Sequence, residues 1–484
     1  MNKFLKTKAF TLLLIAAFVL AACGGGAEAT QPPATAEVIP TQPPAPTGPT
    51  FNIIGAVNRD VTQAAQSPSL SLDNANNLLA AWAENSSGGV RQIFASSLIG
   101  EDAFAPLGAS ANIHTNVVAD LPSITTAGEN RAVPWMTWSE PSPGFGNVSQ
   151  IFASRFSADT GLWQQAGTDR GGGEASLNLA TDRAATRPFI FGGSTELGAP
   201  PVPWVAWEEV SDINPSSRQI FVARGEKDET AIGGFRWVTV GQAKPDGEQT
   251  LNVDRFRISF YPTGVFAETA NSVPWVTWWE SGRDRPSRIF TARGVADPAS
   301  PGGFKWINVP PCPPEDETKC ALNINPLNDA KDASTAAGST VPGESTVPWI
   351  AWPEIGQNGK WQVFVSRLDT STRNSFIQVG GSLNVDPNHD ARNAIIVFVG
   401  NVPYVAWLED DGTGKFEVQL RHLASDPQTG TWALDTPASG FNLDASLSKF
   451  NLAAVASADA LFLAWGEGDP ASSASQMVIG VFKP

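Results

Sequence analysis

The chain has 484 residues, a formal net charge of −16, 17 Trp and only three Cys. So strong a negative charge argues against nucleic acid and anionic lipid surfaces as general partners. We expect a monomer that binds no cofactor.

The first 22 residues have the organisation of a bacterial export signal. Three lysines precede an apolar run, residues 9–20, that is too short to span a membrane. The run ends in Leu20-Ala21-Ala22-Cys23, which resembles the lipobox of bacterial lipoproteins. The resemblance implies cleavage before Cys23 and acylation of this residue, so that acyl chains hold the protein on a membrane without spanning it. An ordinary signal peptide with an incidental Cys is the alternative.

Residues 23–50 form a segment rich in Pro, Thr and Ala, without periodic apolar residues. Such a segment cannot bury a core, and we expect a tether. In a polyproline II conformation, at about 3.1 Å per residue, it would reach roughly 80 Å from the membrane. Gly24 stands where lipoproteins retained at the inner membrane carry Asp. The resemblance therefore implies a place in the cell envelope, exposed outside the cytoplasmic membrane.

From residue 51 onward one octet repeats. Its clearest copy is Val202-Pro203-Trp204-Val205-Ala206-Trp207-Glu208-Glu209, and further copies lie at 133–140, 273–280, 347–354 and 402–409, with weaker ones at 78–84 and 461–467. Side chains alternate between the two faces of a strand, and both faces are apolar here until the final Glu. The octet is therefore predicted to be a strand buried on both faces, with its Trp side chains in the core. Aromatic platforms for a sugar are the alternative role for these Trp.

Each octet is followed by two further strand-like segments, such as residues 219–224 and 235–241, and is preceded by an apolar strand. Seven such repeats of four antiparallel strands, with no helical pattern, predict an all-β fold. The expected architecture is a seven-bladed β-propeller over residues 51–484. The last repeat stops at its third strand, residues 477–482, so residues 51–55 are predicted to add the fourth strand and close the ring.

The repeats resemble those of secreted bacterial propellers in the broad sialidase-like/Asp-box and kelch-like group. The resemblance rests on Ser157-Ala158-Asp159-Thr160-Gly161-Leu162-Trp163, which is similar to an Asp-box turn but lacks one residue before its Trp. A sialidase would also need an arginine triad and a Tyr nucleophile. Neither Tyr261 nor Tyr404 lies in a supporting motif, and a fold alone does not carry a function.

Most candidate catalytic groups have a structural explanation. The acid that ends the octet recurs at Glu84, Glu140, Glu209, Glu280, Glu354, Glu409 and Glu467, which favours a hydrogen-bonding role over seven catalysts. The three His fall in different repeats, and no nucleophile elbow accompanies them. The segment Asp386-Pro387-Asn388-His389-Asp390 has oxygen spacing suited to Ca²⁺, but it lacks the Gly and distal Glu of an EF-hand. Asx turns are favoured there, and no metal site is predicted.

The two remaining cysteines, Cys312 and Cys320, lie eight positions apart in a long loop between repeats. In an oxidising compartment they are predicted to form a disulfide. Metal binding is the alternative, but two thiolates without a nearby His make only half a zinc site.

One set of cations is unexpected in so acidic a chain, although solvated loop charges are the favoured explanation for it. The loops entering the inner strands carry Arg187, Arg255, Arg257, Lys331, Arg392 and Lys449 at similar repeat positions. Inner strands line the channel of a propeller, so these loops should meet around one mouth, where guanidinium groups suit carboxylates. We predict a cell-surface binding module for a glycan or another extracellular ligand rather than an enzyme. The alternative is a glycan-active hydrolase or lyase that uses acids on the loop-rich face.

Overall fold

The computed structural model describes residues 48–241, 250–254, 256–282, 285–313, 316–469 and 475–484. The predicted signal peptide, Cys23, most of the predicted tether and Arg255 lie outside the described residues. Among the described residues, no helix is long and apolar enough to cross a membrane.

The described part of the chain is mostly β-structure. Its strands are β1 (Thr50–Ala56), β2 (Ala65–Leu72), β3 (Leu78–Asn85), β4 (Arg91–Ile99), β5 (Ala103–Pro106), β6 (Asp120–Ala127), β7 (Val133–Ser142), β8 (Val148–Ser157), β9 (Leu162–Gln165), β10 (Ala185–Gly193), β11 (Val202–Val210), β12 (Arg218–Lys227), β13 (Phe235–Thr239), β14 (Ile258–Ala267), β15 (Val273–Gly282), β16 (Arg285–Ala296), β17 (Phe304–Asn308), β18 (Ser334–Gly338), β19 (Val347–Ile355), β20 (Trp361–Leu368), β21 (Phe376–Gln378), β22 (Ala391–Val399), β23 (Val402–Asp410), β24 (Phe416–Leu423), β25 (Trp432–Leu434), β26 (Lys449–Ala456), β27 (Leu461–Glu467) and β28 (Gln476–Lys483). Short 3₁₀ helices lie at Glu129–Arg131, Pro143–Phe145, Pro301–Gly303 and Glu317–Lys319. The all-β prediction is confirmed.

The strands form antiparallel sheets of four. Four of these sheets take their strands in chain order, β2 to β5, β6 to β9, β18 to β21 and β22 to β25. Strands β10 to β17 form one larger sheet, in which a single parallel residue pair, Arg218 with Ile258, joins two four-stranded units. The remaining sheet has the order β26, β27, β28, β1. Each four-stranded unit is called a blade below and is named by its first strand, which is its inner strand.

The inner strands pack side by side. In chain order, β2 contacts β6, β6 contacts β10, and the series continues through β14, β18, β22 and β26. Four-stranded antiparallel sheets packed around their innermost strands are the architecture of a β-propeller. The predicted pairing of the first and last segments is also confirmed, because Phe51 pairs with Phe482 and Ala56 with Val478.

The octets are buried on both faces, as their composition predicted. Residues 203–209 are all buried, and Trp204 and Trp207 are at most 1% exposed. Trp207 packs in one apolar cluster with Ile151 and Ala153 of the β6 blade and with Phe221 of its own blade. The Trp side chains of the octets, except the partly exposed Trp279, therefore fill the space between blades and are not available as sugar platforms.

The repeated glutamates hold the loops that lead into the inner strands. Glu409 accepts hydrogen bonds from the backbone N–H groups of Val385 at 2.9 Å and Asp386 at 2.7 Å. It also accepts one from the indole Nε1 of Trp407, at 2.7 Å. The same three kinds of donor surround Glu84, Glu140, Glu209, Glu280, Glu354 and Glu467. The predicted structural role of these acids is confirmed.

The loops held by the glutamates also bind the preceding blade. Asn384 Oδ1 accepts the N–H of Val363 at 3.0 Å, while its Nδ2 donates to Trp361 O at 3.1 Å, both in the β18 blade. The same loop binds Glu409 of the β22 blade. Each such loop therefore fastens one blade to the next.

The predicted disulfide between Cys312 and Cys320 is present, with their Cα atoms 4.9 Å apart. It closes a loop between β17, the outer strand of the β14 blade, and the β18 blade.

Candidate functional site

Each inner strand is bulged near its first residues, beside the glutamate that ends the neighbouring strand. At each bulge one non-glycine residue takes a left-handed backbone conformation, with φ between 47° and 56°: Ser67, Leu121, Arg187, Tyr261, Asp332, Asn393 and Asn451. Such strained positions persist only where surrounding structure enforces them, and they occur often at binding sites. We call the rim formed by these bulges the mouth.

Arg187 links the β10 blade to the β14 blade at the mouth. Its Nη1 donates to Glu208 Oε2 at 3.0 Å, and its Cζ lies 4.6 Å from the centroid of the Tyr261 ring and 5.4 Å from that of Phe260. Glu208 Oε1 accepts the backbone N–H of Tyr261 at 2.8 Å. The half-buried guanidinium is therefore held between a carboxylate and two aromatic rings.

Lys331 and Arg392 occupy equivalent positions in the next two blades, each one residue before the left-handed residue of its bulge. Lys331 Nζ lies 4.3 Å from the centroid of Trp361, and Arg392 Cζ lies 3.6 Å from that of Phe416. Both rings belong to the first residue of the blade's third strand. Each cation is partly exposed and rests on an aromatic face, which orients it without neutralising its charge.

The other members of the predicted basic cluster are engaged elsewhere. Lys449 is fully buried, and its Nζ donates to Leu447 O at 2.6 Å and Asp444 O at 2.9 Å. Arg257 is 3% exposed and forms an ion pair with Glu317. Arg255 lies outside the described residues. The structure therefore brings Arg187, Lys331 and Arg392 to the rim, whereas the ammonium of Lys449 binds backbone carbonyls inside the fold.

On the opposite arc of the mouth, the polar side chains form hydrogen bonds with one another. Asp120 accepts hydrogen bonds from Gln66 Nε2 at 3.0 Å, Ser67 Oγ at 3.1 Å and Arg91 Nη1 at 2.5 Å. A carboxylate with three donors has little capacity left for a ligand. The mouth is thus asymmetric, with cations and aromatic rings on the arc from β10 to β22 and a closed polar network on the arc from β2 to β6.

Glu208 is a site residue that the sequence interpretation missed. It is fully buried, and burial raises its pKa to about 7, although the neighbouring Arg187 opposes the shift. The signal was present, because the residue before the repeated glutamate is non-acidic in the other octets: Ala83, Ser139, Trp279, Pro353, Leu408 and Gly466. Burial also raises the pKa of Asp332, against the effect of Lys331. Two acids that are outside the repeat pattern therefore lie at the cationic arc.

The segment considered for Ca²⁺ forms an Asx turn. Asp386 Oδ1 accepts the N–H of Asn388 at 2.8 Å and its Nδ2 at 3.0 Å. The described residues contain no group of three or more His, Cys, Asp or Glu side chains placed to share a metal ion.

No family model and no curated protein matches the chain. Similar solved structures include a protein of unknown function from Dyadobacter fermentans DSM 18053, with 10% identity and a TM-score of 0.45 over 90% of this chain and 99% of that one. Trypanosoma rangeli sialidase has 8% identity and a TM-score of 0.41 over 90% of this chain and 59% of its own. A thermostable family-43 glycoside hydrolase has 12% identity and a TM-score of 0.34 over 61% of this chain and 89% of its own. At this level of similarity these proteins assign no activity to the chain.

Proposed function

We propose that the chain is a lipid-anchored, closed, seven-bladed β-propeller that is displayed in the bacterial cell envelope. Its mouth binds an anionic extracellular ligand of the acidic-glycan class, such as a uronic-acid or sialylated oligosaccharide. The proposed anchor is the acylated Cys23.

Closure is supported where the two ends of the chain meet. The inner strand β26 contacts β2, which is the contact that a closed ring of inner strands requires. Asn58 Oδ1 accepts the N–H of Met477 at 2.8 Å in the β26 blade, and the next residue, Arg59, donates its N–H to Glu84 of the β2 blade at 2.9 Å. This is the same connection that joins the other blades, here made between opposite ends of the sequence.

The direction of β1 fixes the face of the domain at which this strand begins. Thr50 pairs with Lys483 at one end of this strand, and Ala56 pairs with Val478 at the other. The loop that follows Ala56 is bound by Glu84, at the end of the blade where the mouth lies. The chain therefore enters the domain at the face opposite the mouth.

The proposed class of ligand, an acidic glycan, rests on one observation. The bulges of four successive blades present Arg187, Tyr261, Lys331 and Arg392, so three cations and an aromatic ring lie along one arc of an otherwise acidic protein. Guanidinium and ammonium groups bind carboxylates, and aromatic faces pack against the apolar faces of sugar rings. The arc therefore suits a ligand that carries both features.

The test is a titration of oligogalacturonate and 3′-sialyllactose, each compared with a neutral oligosaccharide of equal length. Lys331→Ala/Arg392→Ala should raise the Kd for the acidic ligand at least tenfold, because each lost charged contact contributes about 1.5–3 kcal/mol. Arg236→Ala is the matched control, since Arg236 is 52% exposed on an outer strand away from the mouth. Equal affinity for charged and neutral ligands, or no effect of the double substitution, would refute the proposal.

The second candidate function is hydrolysis or lyase cleavage of the same class of glycan. It is favoured by Glu208 and Asp332, because an enzyme needs acids that break the repeat pattern and have shifted pKa values. Release of new reducing ends from acidic oligosaccharides, abolished by both Glu208→Gln and Asp332→Asn, would establish this function. Binding without any release would leave the chain a binding module.

A further inference from the structure

Glu317 is surrounded by three arginines of the β14 blade. Its Oε1 accepts from Arg288 Nη1 at 2.5 Å, from Arg285 Nη1 at 3.2 Å and from Arg257 Nη2. The side chains of Arg257 and Arg288 are 3% and 4% exposed, whereas that of Arg285 is 63% exposed. One carboxylate oxygen thus serves three guanidinium groups, two of which are removed from solvent.

The cluster has more donors than acceptors among the described residues. Asp254 Oδ2 lies 3.6 Å from Arg257 Nε, beyond hydrogen-bonding distance. Glu280 lies near Arg257 but accepts hydrogen bonds from Trp278 and from two backbone N–H groups. Arg257 Nη1 is buried and has no acceptor within the described part of the chain. A buried guanidinium N–H without a partner is costly, so this site has unused capacity for an oxyanion.

The repeat shows that the contact between Arg288 and Glu317 is not needed by the fold. At the position of Arg288, opposite the repeated glutamate, five other blades have a Gln: Gln92, Gln150, Gln219, Gln362 and Gln476. The amides of Gln92, Gln150 and Gln362 donate to a carbonyl of the following loop, as Gln150 Nε2 does to Thr181 O at 2.9 Å. Arg288 makes the equivalent bond with Nε, to Pro326 O at 3.1 Å. The contact of Arg288 Nη1 with Glu317 is therefore additional to the hydrogen bond that the fold uses at this position.

Glu317 reaches this cluster from the loop that the disulfide closes. The residue begins the short 3₁₀ helix Glu317–Lys319, which Asp316 caps by accepting the N–H of Thr318 at 3.1 Å. Cys312 and Cys320 enclose this segment. Because the bridge restricts the conformations of a short loop, it helps to keep Glu317 at the arginines.

We propose that Arg257, Arg285 and Arg288 form a carboxylate-binding site, which the chain fills with its own Glu317 and which opens to an external carboxylate when the disulfide between Cys312 and Cys320 is reduced. A dithiol reductant supplies the two electrons and two protons that convert the S–S bond into two thiols, and the dithiol becomes a disulfide. The loop then releases Glu317, and a carboxylate from solution takes its place. This site is distinct from the mouth, and it does not depend on the function proposed for the mouth.

The experiment titrates citrate into the full chain by calorimetry. Oxidised wild type should bind citrate weakly, and Glu317→Ala should lower the Kd at least tenfold, since it frees three guanidinium groups. Glu317→Ala/Arg288→Gln places at position 288 the Gln that other blades have there, so the fold should be retained. This double variant should lose most of the citrate affinity that Glu317→Ala gains. Glu174→Ala is the matched control, because the Glu174 carboxylate bonds Ser142 and His114 and contacts no arginine side chain among the described residues. It should not gain citrate binding.

The redox half of the proposal has its own measurement. Wild type treated with a dithiol, and Cys312→Ser/Cys320→Ser without reductant, should both bind citrate as Glu317→Ala does. The gain in citrate affinity caused by Glu317→Ala should persist when Lys331→Ala/Arg392→Ala is added, which separates this site from the mouth. If folded Glu317→Ala binds citrate no better than oxidised wild type, the carboxylate site is refuted. If Glu317→Ala gains affinity but reduction does not, the gating role of the disulfide is refuted.

Discussion

Replacing Trp207 with Ala tests whether the octets hold the blades together. The Trp207 side chain is fully buried between the β6 and β10 blades, where it contacts Ile151 and Phe221. Burial of an indole removes about 150–250 Å² from water, which at about 25 cal/mol per Å² is on the order of 4–6 kcal/mol. Because a cavity of this size between two sheets collapses only in part, we expect a net loss of about 3–5 kcal/mol.

The contribution of packing can be separated from that of the hydrogen bond. Trp207 Nε1 donates to Glu209 Oε2 at 3.1 Å, and Trp207→Phe removes this bond while keeping most of the ring. It should therefore cost only about 1–2 kcal/mol. Trp163, in the outer strand, is partly buried and donates to Leu107 O at 2.8 Å, so Trp163→Ala should cost less than Trp207→Ala.

The assay is urea unfolding followed by Trp fluorescence and by circular dichroism, with coincidence of the two transitions checked first. Small and equal losses for Trp207→Ala and Trp163→Ala would refute the assignment of the octet Trp to the core between blades.

Three further predictions follow from the termini and from Glu208. Cys23→Ser should abolish membrane partitioning of the processed protein, and a variant that still fractionates as a lipoprotein would contradict the lipobox interpretation. Deletion of residues 50–56 should expose the edge of β28 and lower the melting temperature by many degrees or cause aggregation, whereas unchanged stability would contradict closure. The pKa of Glu208 is raised to about 7, so its stabilising contribution is present at pH values below about 4.5 and is lost as the pH rises through 7. The free energy of unfolding of Glu208→Gln, relative to that of wild type, should therefore increase by up to about 3 kcal/mol between pH 4.5 and pH 8. A difference in free energy between the two proteins that does not change with pH would contradict the raised pKa.

The sequence predicted the strands because burial leaves a strong pattern. An octet that is apolar on both faces can only be a strand covered on both sides, and residues 203–209 are buried throughout. The pairing of residues 51–55 with 477–482 was predictable for a similar reason, since the last repeat lacked a strand and the first segment supplied one. Repetition made both conclusions firm.

The bulges at the mouth could not be predicted, because they depend on strand register and not on residue type. Of the seven residues held at positive φ at the bulges, only Asp332, Asn393 and Asn451 are of a type that favours this conformation. Leu121, Arg187 and Tyr261 are held there by the pairing on either side of the bulge. A difference of one or two residues at a bulge decides whether a side chain reaches the rim.

Lys449 is an example of a side chain that the strand register keeps away from the rim. Sequence position placed it in the basic cluster, but it pairs with Glu467, at a position where other blades have a small residue such as Ala185 or Ala391. The lysine stem runs into the space that those small side chains leave, and its ammonium binds loop carbonyls. Arg392, equivalent to the residue after Lys449, faces the mouth instead.

In a repeat protein, the residues that serve the fold are those that every repeat shares, so function must be sought in the residues by which one repeat differs. By that criterion Glu208 and Arg288 can be found from the sequence alone, since Glu208 is acidic where the other octets are not and Arg288 stands where most other repeats have Gln. The sequence does not show which partners these off-pattern residues contact in the fold. The three-dimensional arrangement places Glu208 against Arg187 and Arg288 against Glu317, and each pair joins an off-pattern residue to a charge from a different segment. An off-pattern charge that has such a partner within the repeated scaffold is therefore a stronger candidate for a site than any of the seven glutamates that the repeats have in common.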